Sequence, residues 1–300
     1  MIFQQIREYT ILLLVTRYVS ACRPCRARRQ VFFAINNSNI REVLIVGYSA
    51  ITVEIKDHIA CITLNRPPTN SINLAMREDL HAAFSEMENS PDVRVVVLTG
   101  AGEKGFSSGM DVTDVANLYN GPDAIELFNR IDRFPKPVIA AINGYALGGG
   151  CELSLACHFR FMVDAPKAVI GCPEVNLGIT PGWGGIQRMA RLLGRSRALD
   201  LILFSRRLSA GEALEIGLID RVFPAGELMS GAMQFAQDLA KRAPLAVSSI
   251  LKGMITGIEH GIDEGLKVDR ECSKKLTESE DAKEGFVAFM QKREPVFRGK

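Results

Sequence analysis

Residues 137–157, which read PVIAAINGYALGGGCELSLAC, constrain this chain more than any other stretch. Residues 137–142 form a continuous apolar run that is long enough for a buried strand and too short for a helix. Three adjacent glycines at 148–150 then interrupt regular structure, and an apolar segment rich in helix formers follows. The stretch therefore predicts a buried strand, a tight glycine turn and a buried helix with Glu152 in its first turn.

The start of this predicted helix has the features of a site for an anionic oxygen. A helix start exposes unpaired N–H groups and carries a partial positive charge, and glycine lets a ligand approach those groups closely. A carboxylate buried beside them is costly unless it is paired or used, so Glu152 is a candidate acid or base. The residues alone leave a second interpretation open, in which the glycines serve packing and Glu152 only complements the helix dipole.

The segments on either side of this stretch predict an alternation of strands and helices. Residues 51–55 and 58–64 alternate in polarity around a turn, which is typical of a β-hairpin. Residues 73–88 have apolar positions at helical spacing, and residues 93–99 form a β-branched run typical of a buried strand. Further short strands are predicted at residues 160–163, 169–170 and 217–223, and residues 100–111 are predicted to be a glycine-rich loop.

Helices dominate the chain after about residue 190. Ser209 and Glu212 predict a capping box, and Ser279 predicts the cap of the last helix. The order of elements predicts an α/β core over residues 51–245 and a helical C-terminal region over residues 246–300. The helices expected in this part of the chain cover residues 226–242, 244–256, 261–277 and 280–293.

Residues 1–50 differ in charge from the rest of the chain. They carry seven Arg against two Glu, a balance of +5, so the other residues carry −3 of the total of +2. No signal-peptide pattern is complete, and no apolar run reaches the length of a membrane span. We expect an N-terminal extension that is disordered or not native to the fold, and a cytoplasmic protein. An Arg-rich transit peptide leading to the mitochondrial matrix is the alternative.

The overall composition is that of an ordinary globular protein. Hydrophobic residues make up 47% and charged residues 23% of the chain, and the near-neutral net charge gives no reason to expect a nucleic-acid partner. The seven Cys are scattered, which favours small buried hydrophobes over a disulfide framework. Cys22 and Cys25 have CxxC spacing but no second pair, so we expect no metal site.

Three glycine-flanked turns carry the residues with chemical potential: FSSGMD at 106–111, GGGCE at 148–152, and CPE at 172–174 followed by PGWGG at 181–185. Two glutamates that face one pocket can divide acid and base roles between them. In this order the motifs resemble the crotonase (enoyl-CoA hydratase/isomerase) family over roughly residues 50–300, and most closely an enoyl-CoA hydratase. The tail from Ser279 to Phe297 is also similar to the C-terminal helix of that family.

This resemblance implies a crotonase-type spiral of ββα turns with a helical C-terminal trimerisation region, assembled as a trimer or hexamer. It matches the amides of Met110 and Gly149 to the oxyanion hole that holds a thioester carbonyl. It matches Glu152 to the base toward the attacking water and Glu174 to the acid that protonates the α-carbon. It implies no metal or redox cofactor, because the substrate carries the coenzyme A. We expect the helix dipole to help keep Glu152 ionised.

The resemblance also implies a surface that binds the acyl-CoA thioester, with Gly182 as a backbone donor near the reacting water. Trp183, the only Trp, stands where many relatives have Ala. It either lines the acyl pocket, where it would favour a flat or cyclic acyl group, or serves packing. The residues matched to this surface are Arg66, Asn70, Ser71, Ser108, Gly109, Asp111, Val112, Thr113, Gly148, Gly182 and Trp183.

Several activities fit these motifs. Hydration of a 2-enoyl-CoA to a 3-hydroxyacyl-CoA is the leading hypothesis, because both glutamates are present. The alternative that the resemblance implies is a Δ3-Δ2 double-bond isomerase, which typically needs only the second glutamate, or another crotonase-type reaction on a cyclic or aromatic-derived acyl group. Residues 105–109 read GFSSG, which matches the G-x-S-x-G pattern of a serine hydrolase, although the four His lie in no recognisable catalytic context. A non-catalytic binding protein on the same fold is the third class.

Overall fold

The computed structural model describes residues 11–13, 28–36, 39–102 and 104–300, with side chains from Gly47 onward except at 103. The strands of these residues are β1 Ile11–Leu13, β2 Arg28–Asn36, β3 Asn39–Gly47, β4 Ile51–Lys56, β5 Ile59–Leu64, β6 Val95–Gly100, β7 Gly105–Ser107, β8 Val138–Ile142, β9 Tyr145–Leu147, β10 Phe159–Asp164, β11 Ile170–Gly171 and β12 Arg221–Pro224.

The same residues form α-helices and two short 3-10 helices, the latter at Val112–Asn117 and Glu174–Leu177. The α-helices are α1 Leu74–Asn89, α2 Ala124–Asp132, α3 Gly149–Ala156, α4 Gly185–Leu193, α5 Arg195–Leu203, α6 Ala210–Glu215, α7 Leu228–Ala240, α8 Pro244–His260, α9 Ile262–Thr277 and α10 Glu280–Gln291.

The larger of the two sheets that follow residue 50 has the strand order β12-β10-β8-β6-β5-β4. The predicted hairpin is confirmed as the antiparallel pair β4–β5, and all other neighbours pair in parallel. Every residue of β6 and β8 is buried, as expected of parallel strands that are covered on both faces. Helix α7 packs against β6 and β8, so the main core lies at this sheet.

The smaller sheet has the order β11-β9-β7, and both of its pairs are parallel. Along the chain, β6, β8 and β10 of the larger sheet are followed by β7, β9 and β11 of the smaller one. A helical segment comes next in each case: the first 3-10 helix and α2 after β7, α3 after β9, and the second 3-10 helix after β11. Each turn of the chain thus contributes two strands and a helical segment, and the predicted ββα spiral is confirmed.

Three local predictions differ from the structure. Strands β7 and β9 lie in segments that we predicted to be a loop and a turn, because each has only three residues and is flanked by glycine. Helix α3 already begins at Gly149, inside the glycine run. Strand β12 begins four residues later than predicted, at Arg221, because Gly217 has a positive φ of 78° and the amides of Leu218 and Ile219 bond back to helix α6.

The C-terminal helices follow the predicted cap signals. Ser209 and Glu212 form the complete capping box of α6, and the Ser279 side chain accepts the Ala282 N–H at the start of α10. Helix α10 leaves large apolar side chains in solvent, with Phe289 81% exposed and Met290 79% exposed. The boundary between residues 245 and 246 stays a prediction.

The N-terminal backbone strands β1, β2 and β3 form a separate antiparallel sheet. The prediction that residues 1–50 are an extension outside the fold stays a prediction. Cys22 and Cys25 lie outside the described residues. Among the residues that the structure describes, no helix has both the length and the hydropathy needed to cross a membrane.

Candidate active site

The candidate site is built at one edge of the smaller sheet. Strands β7, β9 and β11 are parallel neighbours, with Ser107 beside Ala146 and Leu147 beside Gly171. The carboxyl ends of parallel strands meet at the same edge of a sheet, which is where ligands bind in many α/β folds. The segments that leave this edge carry Met110 after β7, Gly149 after β9 and Glu174 after β11. The three sequence motifs are therefore brought together by one small sheet.

Two backbone amides at this edge are free to bind an oxygen. A Cβ placed on Gly149 would lie 3.2 Å from the Met110 nitrogen, so the two residues are in contact. Among the described residues, neither the Met110 N–H nor the Gly149 N–H donates a hydrogen bond. The adjacent amides are used, because Gly109 donates to Ser107 Oγ and Gly148 donates to Gly171 O. Gly149 is also the first residue of α3, where the helix dipole favours negative charge.

Gly148 allows the backbone conformation that connects β9 to α3. Its φ of 55° and ψ of −127° are disfavoured for any residue with a Cβ. A Cβ on Gly148 would also lie 2.8 Å from Oε1 of Glu174, too close for an atom with a carbon's radius. The glycine therefore both turns the chain into α3 and leaves space for the second carboxylate.

The carboxylate of Glu152 is buried and fixed by two backbone hydrogen bonds. It is 2% exposed, and its Oε1 accepts hydrogen bonds from Trp183 N at 2.7 Å and Gly185 N at 2.8 Å. Oε2 accepts no hydrogen bond from the described residues. Burial raises the pKa of Glu152 from 4.5 to about 7, and the nearby charge of Glu174 adds to that rise against the two backbone donors. Desolvation is the largest effect on the pKa of Glu152, and the expectation that the helix dipole helps to keep this carboxyl ionised stays a prediction.

Glu174 is buried but lacks the support that Glu152 has. It begins the 3-10 helix after β11 and is 8% exposed. Its Oε2 is buried without a hydrogen-bond partner among the described residues. Burial raises the pKa of Glu174 above its ordinary value. A buried carboxylate oxygen without a hydrogen-bond partner is rare in folded proteins and indicates a group that binds a ligand or takes up a proton.

The PGWGG turn at residues 181–185 donates the backbone hydrogen bonds that fix Glu152. The backbone donors that reach the carboxylate belong to Trp183 and Gly185, whereas Gly182 is exposed to solvent. A Cβ on Gly185 would lie 2.8 Å from Cγ of Glu152, which explains the need for glycine there. Gly185 is not among the site residues predicted from the sequence, although its place inside the glycine-rich motif was a usable signal.

The profile of the enoyl-CoA hydratase/isomerase family matches residues 54–300, which is most of the chain.

The chain belongs to the enoyl-CoA hydratase/isomerase family.

This chain aligns with nearly the whole length of individual members of the family. The short-chain-enoyl-CoA hydratase of Clostridium acetobutylicum is 37% identical over 250 residues, which are 81% of this chain and 95% of that protein. The crotonyl-CoA hydratase of Syntrophomonas wolfei is 34% identical over 262 residues, 85% of this chain and 100% of that protein. The crystal structure of the enoyl-CoA hydratase of Bacillus anthracis superposes with a TM-score of 0.79 at 37% identity, covering 84% of this chain and 100% of that chain. Enoyl-CoA hydratases are hydro-lyases, so the predicted family, fold and enzyme class are confirmed.

Arg66 and Asp111 connect two segments that were matched to the acyl-CoA surface, the loop at residues 66–71 and the segment at residues 110–113. Arg66 donates to Ser71 O at 2.6 Å and to Asp111 Oδ2 at 2.8 Å. Asp111 also accepts the Thr113 N–H and hydroxyl, and the Thr113 hydroxyl is the main reason that the pKa of Asp111 is lowered. The ion pair therefore connects the segment next to Met110 to the loop that contains Ser71.

The other predicted surface residues divide into interior and exposed ones. Asn70 is fully buried and donates to Ala101 O and Gly105 O, so its amide holds the loop and is not directed at a ligand. Ser108 is half-buried, and its N–H donates to Thr69 O. Val112 is 63% exposed beside Met110 and is open to a ligand. The structure therefore places several of these residues in the scaffold of the surface.

The serine-hydrolase alternative is wrong. Ser107 is fully buried, and its hydroxyl donates to Asn70 O and accepts the Gly109 N–H. His158 accepts the Val138 N–H, and burial lowers its pKa to about 4, while His58 bonds to a backbone carbonyl. A nucleophile needs an exposed hydroxyl beside a base, and Ser107 is neither exposed nor beside a histidine in its hydrogen bonds. Of the described residues, no cluster of His, Cys, Asp and Glu is arranged to hold a metal ion.

Proposed function

We propose that this protein adds water across the C2=C3 double bond of a 2-enoyl-CoA thioester to give a 3-hydroxyacyl-CoA. The observation that carries the proposal is the pair of buried glutamates beside two unpaired amides at one sheet edge. Glu152 keeps Oε2 available and Glu174 keeps Oε2 unpartnered, as two groups that share one water must. Two relatives named as hydratases of short enoyl-CoA substrates support the same reaction.

In the proposed reaction the amides of Met110 and Gly149 bind the thioester oxygen. Addition of water at C3 moves electrons onto that oxygen, and each donor aimed at a developing charge contributes about 2.7–4 kcal/mol in comparable sites. Because the donors belong to the backbone, Met110 serves as well as a smaller residue. The dipole of α3 adds to the same stabilisation.

Glu152 and Glu174 divide the two proton transfers. Glu152 in its ionised form takes a proton from the water whose oxygen bonds to C3, and Glu174 in its protonated form gives a proton to C2. The pKa of Glu152 is raised to about 7, so near neutral pH this carboxyl can exist in either form. Burial also raises the pKa of Glu174, which favours the protonated form that its role requires. Exchange of one proton with solvent returns the pair to its starting state.

The buried Oε2 of Glu174, which has no partner among the described residues, also supports a second candidate, the isomerisation of a 3-enoyl-CoA to a 2-enoyl-CoA. A single carboxylate that moves a proton between C2 and C4 is sufficient for that reaction, with the same amides binding the oxygen. Hydration is favoured because Glu152 is held in place by two backbone donors and keeps one oxygen available.

We further propose a homo-oligomer, a trimer or hexamer, that needs no metal or redox cofactor because the substrate carries the coenzyme A. The exposed apolar face of α10, which includes Phe286 and Phe289, supports the oligomer. The near-neutral net charge supports the absence of a nucleic-acid partner. A cytoplasmic location is proposed, with the mitochondrial matrix as the alternative.

The test follows the loss of the conjugated enoyl-thioester absorbance of crotonyl-CoA with wild type, Glu152→Gln and Glu174→Gln. We expect turnover by wild type and a loss of about a hundredfold to ten-thousandfold in each variant. Glu227→Gln, at an exposed position, is the matched control and should retain activity. Near-wild-type hydration by either site variant would contradict the two-glutamate mechanism. Conversion of a 3-enoyl-CoA that depends on Glu174 but not on Glu152 would establish the isomerase instead.

A further inference from the structure

The guanidinium of Arg188 lies against the PGWGG turn. Its Nη1 donates to the Trp183 carbonyl at 3.1 Å, and a Cβ placed on Gly184 would lie 3.2 Å from its Cζ. Trp183 donates its own N–H to Oε1 of Glu152, and Gly185 donates to the same oxygen. The backbone of the turn therefore connects the guanidinium of Arg188 to the proposed base.

Two side chains of helix α2 bind the same guanidinium. Arg188 Nη2 donates to Asn129 Oδ1 at 2.7 Å, and Arg188 Nε forms an ion pair with Asp132 Oδ2 at 2.9 Å. All three nitrogens of the guanidinium thus have a partner, and Arg188 is only 5% exposed. Phe128 of the same helix packs edge-to-face on the Trp183 ring, with centroids 5.7 Å apart. Because the planar guanidinium has donors in a fixed geometry, these bonds set its position against the turn.

The charge of Arg188 also acts on Glu152. Burial is the largest cause of the raised pKa of Glu152 and the charge of Glu174 adds to it, whereas the charge of Arg188 opposes the rise. The Cys172 thiol lies near both glutamates, but the Cys151 side chain and burial hold its pKa well above the usual range, so it is neutral. Arg188 therefore favours the ionised form of Glu152, which is the form that accepts a proton.

We propose that Arg188 is a positioning residue that acts through the PGWGG turn to hold the carboxylate of Glu152 in place for proton transfer from water. The inference rests on the proposed hydration, because Glu152 is the base of that reaction. Among the described residues, Arg188 forms no hydrogen bond with Glu152 itself, so its effect passes through the backbone of the turn and through its charge. A displacement of about 1 Å at a reacting group can cost about a hundredfold in rate.

The first test measures kcat, KM and the pH profile of kcat/KM for crotonyl-CoA in wild type and Arg188→Met. The Met side chain keeps most of the length and removes the charge and the three donors. We expect kcat to fall about tenfold to a hundredfold with little change in KM. The rising limb of the pH profile should move up by about one unit, because the base must be ionised and loss of a nearby cation raises the pKa of Glu152.

Arg188→Lys is the conservative variant. It keeps the charge but cannot make all three bonds at once, so it should leave the limb of the pH profile in place and lose less activity than Arg188→Met. If Arg188→Met does not fold, Arg188→Lys carries the test, and a wild-type kcat in that variant overturns the proposal.

Arg191→Met is the matched control. Arg191 bonds the same carboxylate, with 3.0 Å to each oxygen of Asp132, but it is exposed. In the described part of the chain its guanidinium bonds to no residue of the PGWGG turn. The control should keep the wild-type kcat and pH profile. Equal losses in Arg188→Met and Arg191→Met would mean that the ion pairs of Asp132 only stabilise the fold, and would overturn the positioning role.

Acrylamide quenching of Trp183 fluorescence tests the same contact without a substrate. Trp183 is the only Trp of the chain and is 9% exposed, so its emission reports the turn directly. We expect Arg188→Met to raise the quenching constant and Arg191→Met to leave it at the wild-type value. Equal quenching together with an unshifted pH profile overturns the role of Arg188 while hydration stands. A wild type that hydrates no enoyl-CoA overturns the proposed function, and this inference with it.

Discussion

The two glutamates of the candidate site stand in contrasting surroundings. Glu152 lies in the first turn of α3, and two backbone N–H groups from the PGWGG turn fix one of its oxygens. Glu174 begins a 3-10 helix, and its buried Oε2 has no partner among the described residues. One oxygen of Glu152 is therefore fixed by the backbone, whereas the buried Oε2 of Glu174 is not fixed by any described residue. The difference shows that backbone donors can give two chemically identical side chains different surroundings.

Among changes to the surroundings of the two carboxylates, the largest effect is expected from filling the glycine positions beside them. Gly148→Ala places a methyl group 2.8 Å from Oε1 of Glu174, and Gly185→Ala places one 2.8 Å from Cγ of Glu152. Each should lower kcat/KM for crotonyl-CoA by about a hundredfold to a thousandfold, because a displaced acid or base no longer meets its proton.

Gly211→Ala is the matched control for these two variants, since a Cβ there meets no atom within 4 Å. It should retain the wild-type kcat/KM. If Gly148→Ala kept full activity while circular dichroism showed an intact fold, the position of Glu174 would not matter to the reaction.

The next expected effect is on the pH dependence of stability. The folded-state pKa of Glu152 is about 7 against an ordinary 4.5, so the folded protein binds this proton more tightly than the unfolded chain. The stabilising contribution of the group is therefore complete below pH 4.5 and is lost as the pH rises toward 7. The free energy of unfolding should fall across that window by an amount on the order of 3 kcal/mol from this group.

Denaturant unfolding at a series of pH values measures this slope in wild type and in Glu152→Gln. The variant cannot titrate at residue 152 and should show a shallower decline, with the remainder due to Glu174, whose pKa is also raised. Equal slopes in the two proteins would mean that the buried carboxyl of Glu152 does not titrate in this window.

The smallest expected effect is a difference in the free energy of unfolding between variants that replace one carboxylate or the other. Glu152→Leu leaves the Trp183 and Gly185 amides without their acceptor, so it should lower the free energy of unfolding by about 1–3 kcal/mol. Glu174→Leu replaces a carboxylate whose buried oxygen has no partner, so it should leave stability unchanged or raise it. Guanidinium unfolding at neutral pH compares the pair, and equal destabilisation by the two variants would remove the contrast.

Much of the fold could be predicted because its signals are local. The hairpin β4–β5, helix α1 and the buried strands β6 and β8 follow from polarity patterns within a few residues. The capping box at Ser209 and the cap at Ser279 follow from side chains that bond to amides three residues away. Such contacts are fixed by neighbours in the sequence, so the sequence reveals them.

The smaller sheet could not be predicted in the same way. Strands β7 and β9 have three residues each, and β11 has two, which is too short for any period to be recognised. They exist because each pairs with a partner that is distant in sequence, as Gly105 does with Tyr145. The places of Asn70 and Ser107 inside the scaffold depend on the same long-range pairing.

By itself, the sequence determined the family motifs, the order of strands and helices, and the two glutamates with their flanking glycines. Only the tertiary structure decided that two backbone donors fix Oε1 of Glu152, that Oε2 of Glu174 has no partner among the described residues, and that the Trp183 ring lies against Gly149. The physical reason is that desolvation and hydrogen-bond partners are properties of space. They arise where segments far apart in the chain meet at the edge of a small sheet.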